Sequence, residues 1–388
     1  MTNRHRRGAR RIHGWAAPAV AALMLVGCGA PAPPPSATTP ATPAAPSGDP
    51  APSVPASATG WWEPTGETQV LATGLAAPWS VVPLPEGGAL ISQRDDGRVL
   101  ELTAFDQTRE VGVVPDVVSG GEAGLHGLAV WQDEATWLYA YHGTADDNRV
   151  VRMPLTGAPG ALGLGEAEPV ITGIPRARTH NGGRIAFGPD GFLYVATGDA
   201  QLRDAAQDPA SLAGKILRLT ATGDAAPGNP FGSAVWSIGH RNVQGIAWTS
   251  DGVLWASEFG QDTWDELNVI VPGGNYGWPE TEGIAGVGGL IDPVLQFSPA
   301  EASPSGLAAI GDTVFVAGLR GQRVWVVDTA DGEVRSSDAV FEGELGRIRD
   351  VVDGADGSLW LLTNNTDGRG DPRPDDDQLV RAPLATAP

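Results

Sequence analysis

Downstream of residue 60 the chain repeats a short polar turn followed by an alternating or apolar run, and helical periodicity is almost absent. The six clearest copies are Pro85-Glu86-Gly87-Gly88 before Ala89–Ser92, Gln132-Asp133-Glu134 before Thr136–Tyr141, Pro189-Asp190-Gly191 before Phe192–Thr197, Ser250-Asp251-Gly252 before Val253–Ser257, Gly311-Asp312 before Thr313–Val316, and Ala355-Asp356-Gly357 before Ser358–Thr363. Asp-Gly supplies the positive-φ turn that a hairpin needs. A second apolar run follows each: Val99–Leu102, Arg149–Met153, Ile216–Leu219, Glu266–Ile270, Arg323–Val327 and Gln378–Arg381. Turn anchors recur about every 45 to 61 residues, the length of a four-stranded blade and too long for a β-helix rung. The pattern predicts an all-β fold, a six-bladed β-propeller, with Thr68–Ala72 completing the last blade beside Gln378–Pro383; a β-sandwich is the alternative.

The N-terminus predicts an exported protein. Arg4, Arg6, Arg7, Arg10 and Arg11 form a cationic region, and the apolar run from Gly14 to Gly27 is too short to span a bilayer. It ends in Leu25-Val26-Gly27-Cys28, which resembles the bacterial lipobox, so residues 1–27 read as a lipoprotein signal peptide and Cys28 as the lipidated residue. Cys28 is the only cysteine, which excludes an intrachain disulfide. Residues 28–59 are a Pro/Ala/Ser/Thr-rich tract that cannot bury a core, a disordered linker between membrane and the folded domain, residues 60–388. The expected location is extracytoplasmic, on the cell membrane through the lipid anchor only. The net charge of −21, about −26 once the leader's arginines are removed, excludes nucleic acid as a partner.

Against that acidic background a few residues gain meaning. His180 lies in a Gly-rich loop, Thr179-His180-Asn181-Gly182-Gly183, and Asp199 ends the next strand but one turn away. The hairpin through Asp190-Gly191 brings both loops to one end of the blade, where a carboxylate can orient an imidazole acting as a base. Alone, a loop histidine is more often structural. Arg241 and Asn242 precede another blade strand. Arg347 and Arg349, two apart in an extended segment, share a face and can grip one anion. The run Ser257–Glu266 sets four acids around what reads as an exposed turn, suited to calcium or simply solvated. His126 and His240 read as structural.

Nine segments then line up in one order, among them Pro78-Trp79, Gly121-Glu122-Ala123-Gly124-Leu125, Gly214-Lys215-Ile216, His240-Arg241-Asn242, Gly273-Gly274-Asn275-Tyr276-Gly277-Trp278-Pro279 and Gly346-Arg347-Ile348-Arg349-Asp350. This order resembles the soluble glucose/sorbosone (aldose sugar) dehydrogenases that depend on pyrroloquinoline quinone (PQQ), and the resemblance covers nearly all of the domain. It implies a quinoprotein that oxidises an aldose sugar to its lactone with PQQ and calcium as cofactors and an unknown electron acceptor. It implies that His180 is the general base, Asp199 its orienting carboxylate and Arg241 the cation at the quinone, with Asn242 beside it. Glu122 falls where the family has a substrate-contacting glutamine. Arg320, Arg347 and Arg349 fall on the cofactor's carboxylates. The Gly260 and Gln261 carbonyls fall on the cofactor calcium, and Glu266 with the Tyr276 carbonyl on a second calcium. The segment Ser298-Pro299-Ala300-Glu301-Ala302 departs from the family pattern, as does Val243. A non-catalytic lipoprotein propeller that binds a ligand or protein is the alternative function; a propeller hydrolase would need carboxylates converging on a channel metal.

Overall fold

Each predicted turn–strand unit forms the middle of a four-stranded antiparallel blade, and there are six blades. The computed structural model describes residues 61–387 apart from 104–106 and 355, so the leader, Cys28 and the linker lie outside the described residues. The second strands, such as Ala89–Gln93, Leu193–Ala196, Leu254–Glu258 and Ser358–Thr363, are buried along their whole length. Neighbouring blades cover both of their faces, which is why their sequences run apolar instead of alternating. Outer strands such as Thr108–Val113 and Glu333–Val340 are half exposed and mix polar with apolar residues.

The first strands of the blades are Pro78–Pro83, Leu125–Gln132, Ile185–Phe187, Val243–Trp248, Pro304–Ile310 and Ile348–Asp353. Each touches the next, and the sixth touches the first, so together they wall a central channel. The apolar core lies between blades: Leu90 and Val99 of blade 1, for instance, pack with Leu125 and Leu138 of blade 2. Blade 6 is completed by the N-terminal strand Gln69–Ala72, which pairs with Leu379–Thr386 in a register that sets Val70 opposite Val380. That closure ties the two ends of the domain together, as the sequence predicts. Two small strands were not foreseen, Trp62–Pro64 at the same edge and Gly163–Leu164 in blade 2.

Antiparallel alternation sends the loops entering each first strand, and those joining each second strand to its third, to the same mouth of the channel. Below that mouth Arg184 of blade 3 reaches across to Asp350 of blade 6 at 2.8 Å, and both are buried. Arg184 also donates to the Gln244 carbonyl at 2.9 Å and lies over the Trp79 ring. This layer floors the space above it.

Candidate active site

The mouth brings His180, Asp199 and Arg241 into one hydrogen-bonded row. His180 Nδ1 is 2.8 Å from Asp199 Oδ1, and its Nε2 is 2.9 Å from an Arg241 guanidinium nitrogen. A guanidinium only donates, so Nε2 is the acceptor and the proton sits on Nδ1, donated to Asp199. The imidazole is thus neutral, with its basic nitrogen turned toward the mouth. Asp199 is fully buried, and its other oxygen accepts the Trp278 indole N–H at 2.9 Å. Burial works to raise the Asp199 pKa, but His180, the Gln201 N–H and Trp278 outweigh it and hold the carboxyl below its usual range.

The loop that carries His180 is fixed from both sides. His180 has φ 60°, in the left-handed region, and Gly198 has no room for a Cβ because the His180 carbonyl packs against it. The His180 N–H donates to Glu122 at 2.8 Å and its carbonyl accepts from Ala200 at 3.0 Å. Glu122 is itself paired with Arg369 at 2.9 Å, and Asn242 accepts the Gly182 N–H at 3.0 Å. Asn242 therefore braces the His180 loop, and Glu122 braces it while also lining the adjoining cavity.

That cavity, about 300 Å³, is lined by Arg94, Arg320, Arg347, Arg349 and Arg369, with Trp79, Gln244 and Phe259 among its other walls. Arg349 donates to the Gln244 side chain at 2.8 Å, and Arg347 pairs with Asp367 at 2.9 Å. The two arginines share that one carboxylate, Arg349 at 3.7 Å. Burial pushes the Arg349 pKa down and Asp367 only partly restores it against Arg347 and Arg94. Buried Nε atoms of Arg241, Arg347 and Arg349 have no hydrogen-bond partner. Desolvated cations with unused donors make a receptor for an anion carrying several carboxylates.

The acids predicted around an exposed turn are mostly not exposed. Glu258, Asp265 and Glu266 are buried, because they sit at the ends of the paired strands Leu254–Glu258 and Asp265–Ile270 and only the tip residues Gln261, Asp262 and Thr263 face solvent. Gly260, Glu266 and Tyr276 nonetheless line one small cavity of about 10 Å³, with Glu258 and Glu282. Burial, together with the charge of Glu258, pushes the Glu266 pKa up to about 8. Among the described residues no three His, Cys, Asp or Glu side chains converge to hold a metal, so a cation here would rely on carbonyl oxygens as well.

His126 and His240 are buried structural residues: His126 stacks between Trp79 and Tyr141, and His240 bridges Ser237 and Glu258. Glu301 is satisfied by Ser298 at 2.6 Å, and Ser303 is that loop's contribution to the cavity. Sequence reasoning missed Arg94, Arg369 and Asp367. Arg369 and Asp367 lie in or beside an acidic tail segment with no local pattern to mark them. Trp278 and Trp79 stood in the aligned segments, but nothing in them told which atoms they touch.

Residues 75–371 match the family described as Glucose / Sorbosone dehydrogenase. The chain is 47% identical to the PQQ-bound aldose sugar dehydrogenase of Streptomyces coelicolor, with a TM-score of 0.79 over 83% of this chain and 100% of that one. It is 30% identical over 357 residues to the aldose sugar dehydrogenase YliI of Escherichia coli, spanning 79% of this chain and 93% of the relative. Quinoprotein glucose dehydrogenase B of Acinetobacter calcoaceticus is 28% identical over 253 residues, 56% of this chain and 53% of the relative.

Proposed function

Since the chain belongs to the glucose/sorbosone dehydrogenase family, the soluble PQQ-dependent sugar dehydrogenases, we propose that its channel mouth oxidises the anomeric hydroxyl of an aldose to the lactone with His180 as general base. The protein is a quinoprotein oxidoreductase acting on sugars. The observation that supports the base assignment is the His180 tautomer, neutral and held by Asp199, with Nε2 against Arg241 and with Glu122, which braces its loop, lining the arginine cavity.

The residues present fit both cofactors. The unpartnered guanidinium nitrogens of Arg241, Arg347 and Arg349 suit the three carboxylates and quinone oxygen of PQQ, with Arg320 at the same wall. When bound, PQQ supplies the acceptor for the hydride. Calcium fits the Gly260 and Gln261 carbonyls, and the Glu266 side of the small cavity, where Glu258, Glu266 and Glu282 face a single side-chain cation, Arg241. His180 Nε2 takes the proton of the anomeric hydroxyl while the C1–H bond breaks and its electron pair leaves with the hydrogen, so that C1–O becomes a carbonyl. The resulting imidazolium is stabilised by Asp199. Arg241 donates to Nε2 at 2.9 Å, the same nitrogen that would accept the sugar's proton. Cys28 carries the lipid that holds the enzyme outside the cytoplasm, and Cys28→Ser is expected to move it from the membrane to the soluble fraction.

Reconstitution with PQQ and calcium, followed by dye reduction across a panel of aldoses, tests the reading. Turnover that requires PQQ is expected with at least one aldose. No turnover with any sugar, and no PQQ bound, would leave the non-catalytic propeller in its place.

A further inference from the structure

The tip of the blade 4 hairpin is folded around a single oxygen atom. Glu282 Oε1 accepts the backbone N–H groups of four consecutive residues: Gln261 at 2.7 Å, Asp262 at 3.0 Å, Thr263 at 2.9 Å and Trp264 at 3.1 Å. The preceding amide, of Gly260, goes to Asp265 at 2.9 Å. In a planar trans peptide the N–H of one residue and the C=O of the residue before it point in opposite directions. Four amides drawn to Glu282 therefore turn the carbonyls of Gly260, Gln261, Asp262 and Thr263 away from it.

The consequence differs along the loop. The Phe259 carbonyl is engaged by Arg241 at 3.1 Å. The Gly260 and Gln261 carbonyls accept no hydrogen bond from any described residue. Gly260 itself has no room for a Cβ, which would collide with the Trp264 carbonyl, so the turn is as tight as a glycine allows. Successive amides gathered on an anion form a nest, and here the anion is supplied by the chain itself. The outer surface of such a nest is a row of oxygens, the donor set a hard cation takes.

We propose that Glu282 is the positioning residue of the calcium site: by holding four amides inward it presents the Gly260 and Gln261 carbonyls outward as a ready-made ligand pair. The inference rests on the calcium reading given above. It also explains the next residue, since the Gly283 N–H donates to Glu266 at 2.7 Å, so one short segment orders the loop and the neighbouring acid together. Sequence inspection had no means of finding Glu282, which lies 21 residues from Gln261.

The test uses the calcium-free full-length protein carrying Glu266→Gln, so that binding at the Gly260 and Gln261 carbonyls is read alone. Calcium binding is followed by calorimetry and by tryptophan-sensitised terbium luminescence, with hydrogen exchange reporting the amides of Gln261 to Trp264. Glu282→Ala is expected to weaken calcium binding about 10–100-fold, the usual effect of losing a residue that orients metal ligands, and to speed exchange of those four amides. Glu282→Gln keeps an acceptor oxygen without the charge and is expected to recover most of the affinity; it also stands in if Glu282→Ala does not fold. Unchanged affinity in Glu282→Ala overturns the proposal. Equal losses in the Ala and Gln variants overturn it too, since they assign Glu282 to charge or direct ligation. If the parent binds no calcium, the calcium reading itself fails, and the proposal with it.

Discussion

His180 sits at φ 60°, a conformation that costs a non-glycine residue roughly 1–3 kcal/mol and persists only where its surroundings over-determine it. Here they do, through Glu122, Ala200, Asp199 and Arg241. The division of labour between this row and the arginine cavity gives separable effects. Arg347→Ala is expected to weaken PQQ binding about 10–100-fold by calorimetry, because it removes charge-assisted contacts from a desolvated wall, while Asp199→Asn is expected to keep near-normal PQQ affinity and to lower kcat in dye reduction. At this scale the sequence was partly legible. His180 and Asp199 flank one hairpin, so local spacing put them at one end of a blade. Arg369 meets Glu122 across 247 residues of chain, and only closure of the ring creates that contact.

The elements were legible where turn chemistry is local, and less so where burial is set by the neighbouring blade. The Asp-Gly turns marked the middle strands well. The first strands were harder to see: Ile185–Phe187 is three residues long, and Val243–Trp248 and Ile348–Asp353 begin directly after Asn242 and Arg347, so that Arg349 lies within its strand. One such strand carries a pH effect. His126, on Leu125–Gln132, is fully enclosed between Trp79 and Tyr141 and donates from Nε2 to the Glu122 carbonyl at 2.7 Å. Burial, then the nearby Arg94, Arg349 and Arg184, push its pKa down to about 3 from an ordinary 6.5. A base depressed in the folded state stays neutral there while the unfolded chain takes a proton. Its stabilising effect is thus complete above pH 6.5 and is lost as pH falls toward 3. Thermal melts between those pH values should fall less steeply for His126→Phe than for the wild type; equal slopes would assign the acid sensitivity elsewhere.

For the whole molecule, the contrast that matters is a cationic cavity inside a chain of net charge −21. The surface charge was plain from composition. The concentration of five arginines at one mouth was not, since they come from three of the six blades. Calcium acts at this scale as well, because a ligand that binds only the folded state stabilises it by mass action. Thorough chelation should lower the melting temperature and calcium should restore it; an unchanged melt with no metal by elemental analysis would contradict the cation sites. The central claim is that one wall of the mouth holds the quinone while His180 removes the substrate proton. Stopped-flow absorbance of protein-bound PQQ on mixing with an aldose separates the two. The account predicts that His180→Ala binds PQQ as the wild type does and reduces it about 10²–10⁴-fold more slowly. Reduction at the wild-type rate in His180→Ala would contradict it.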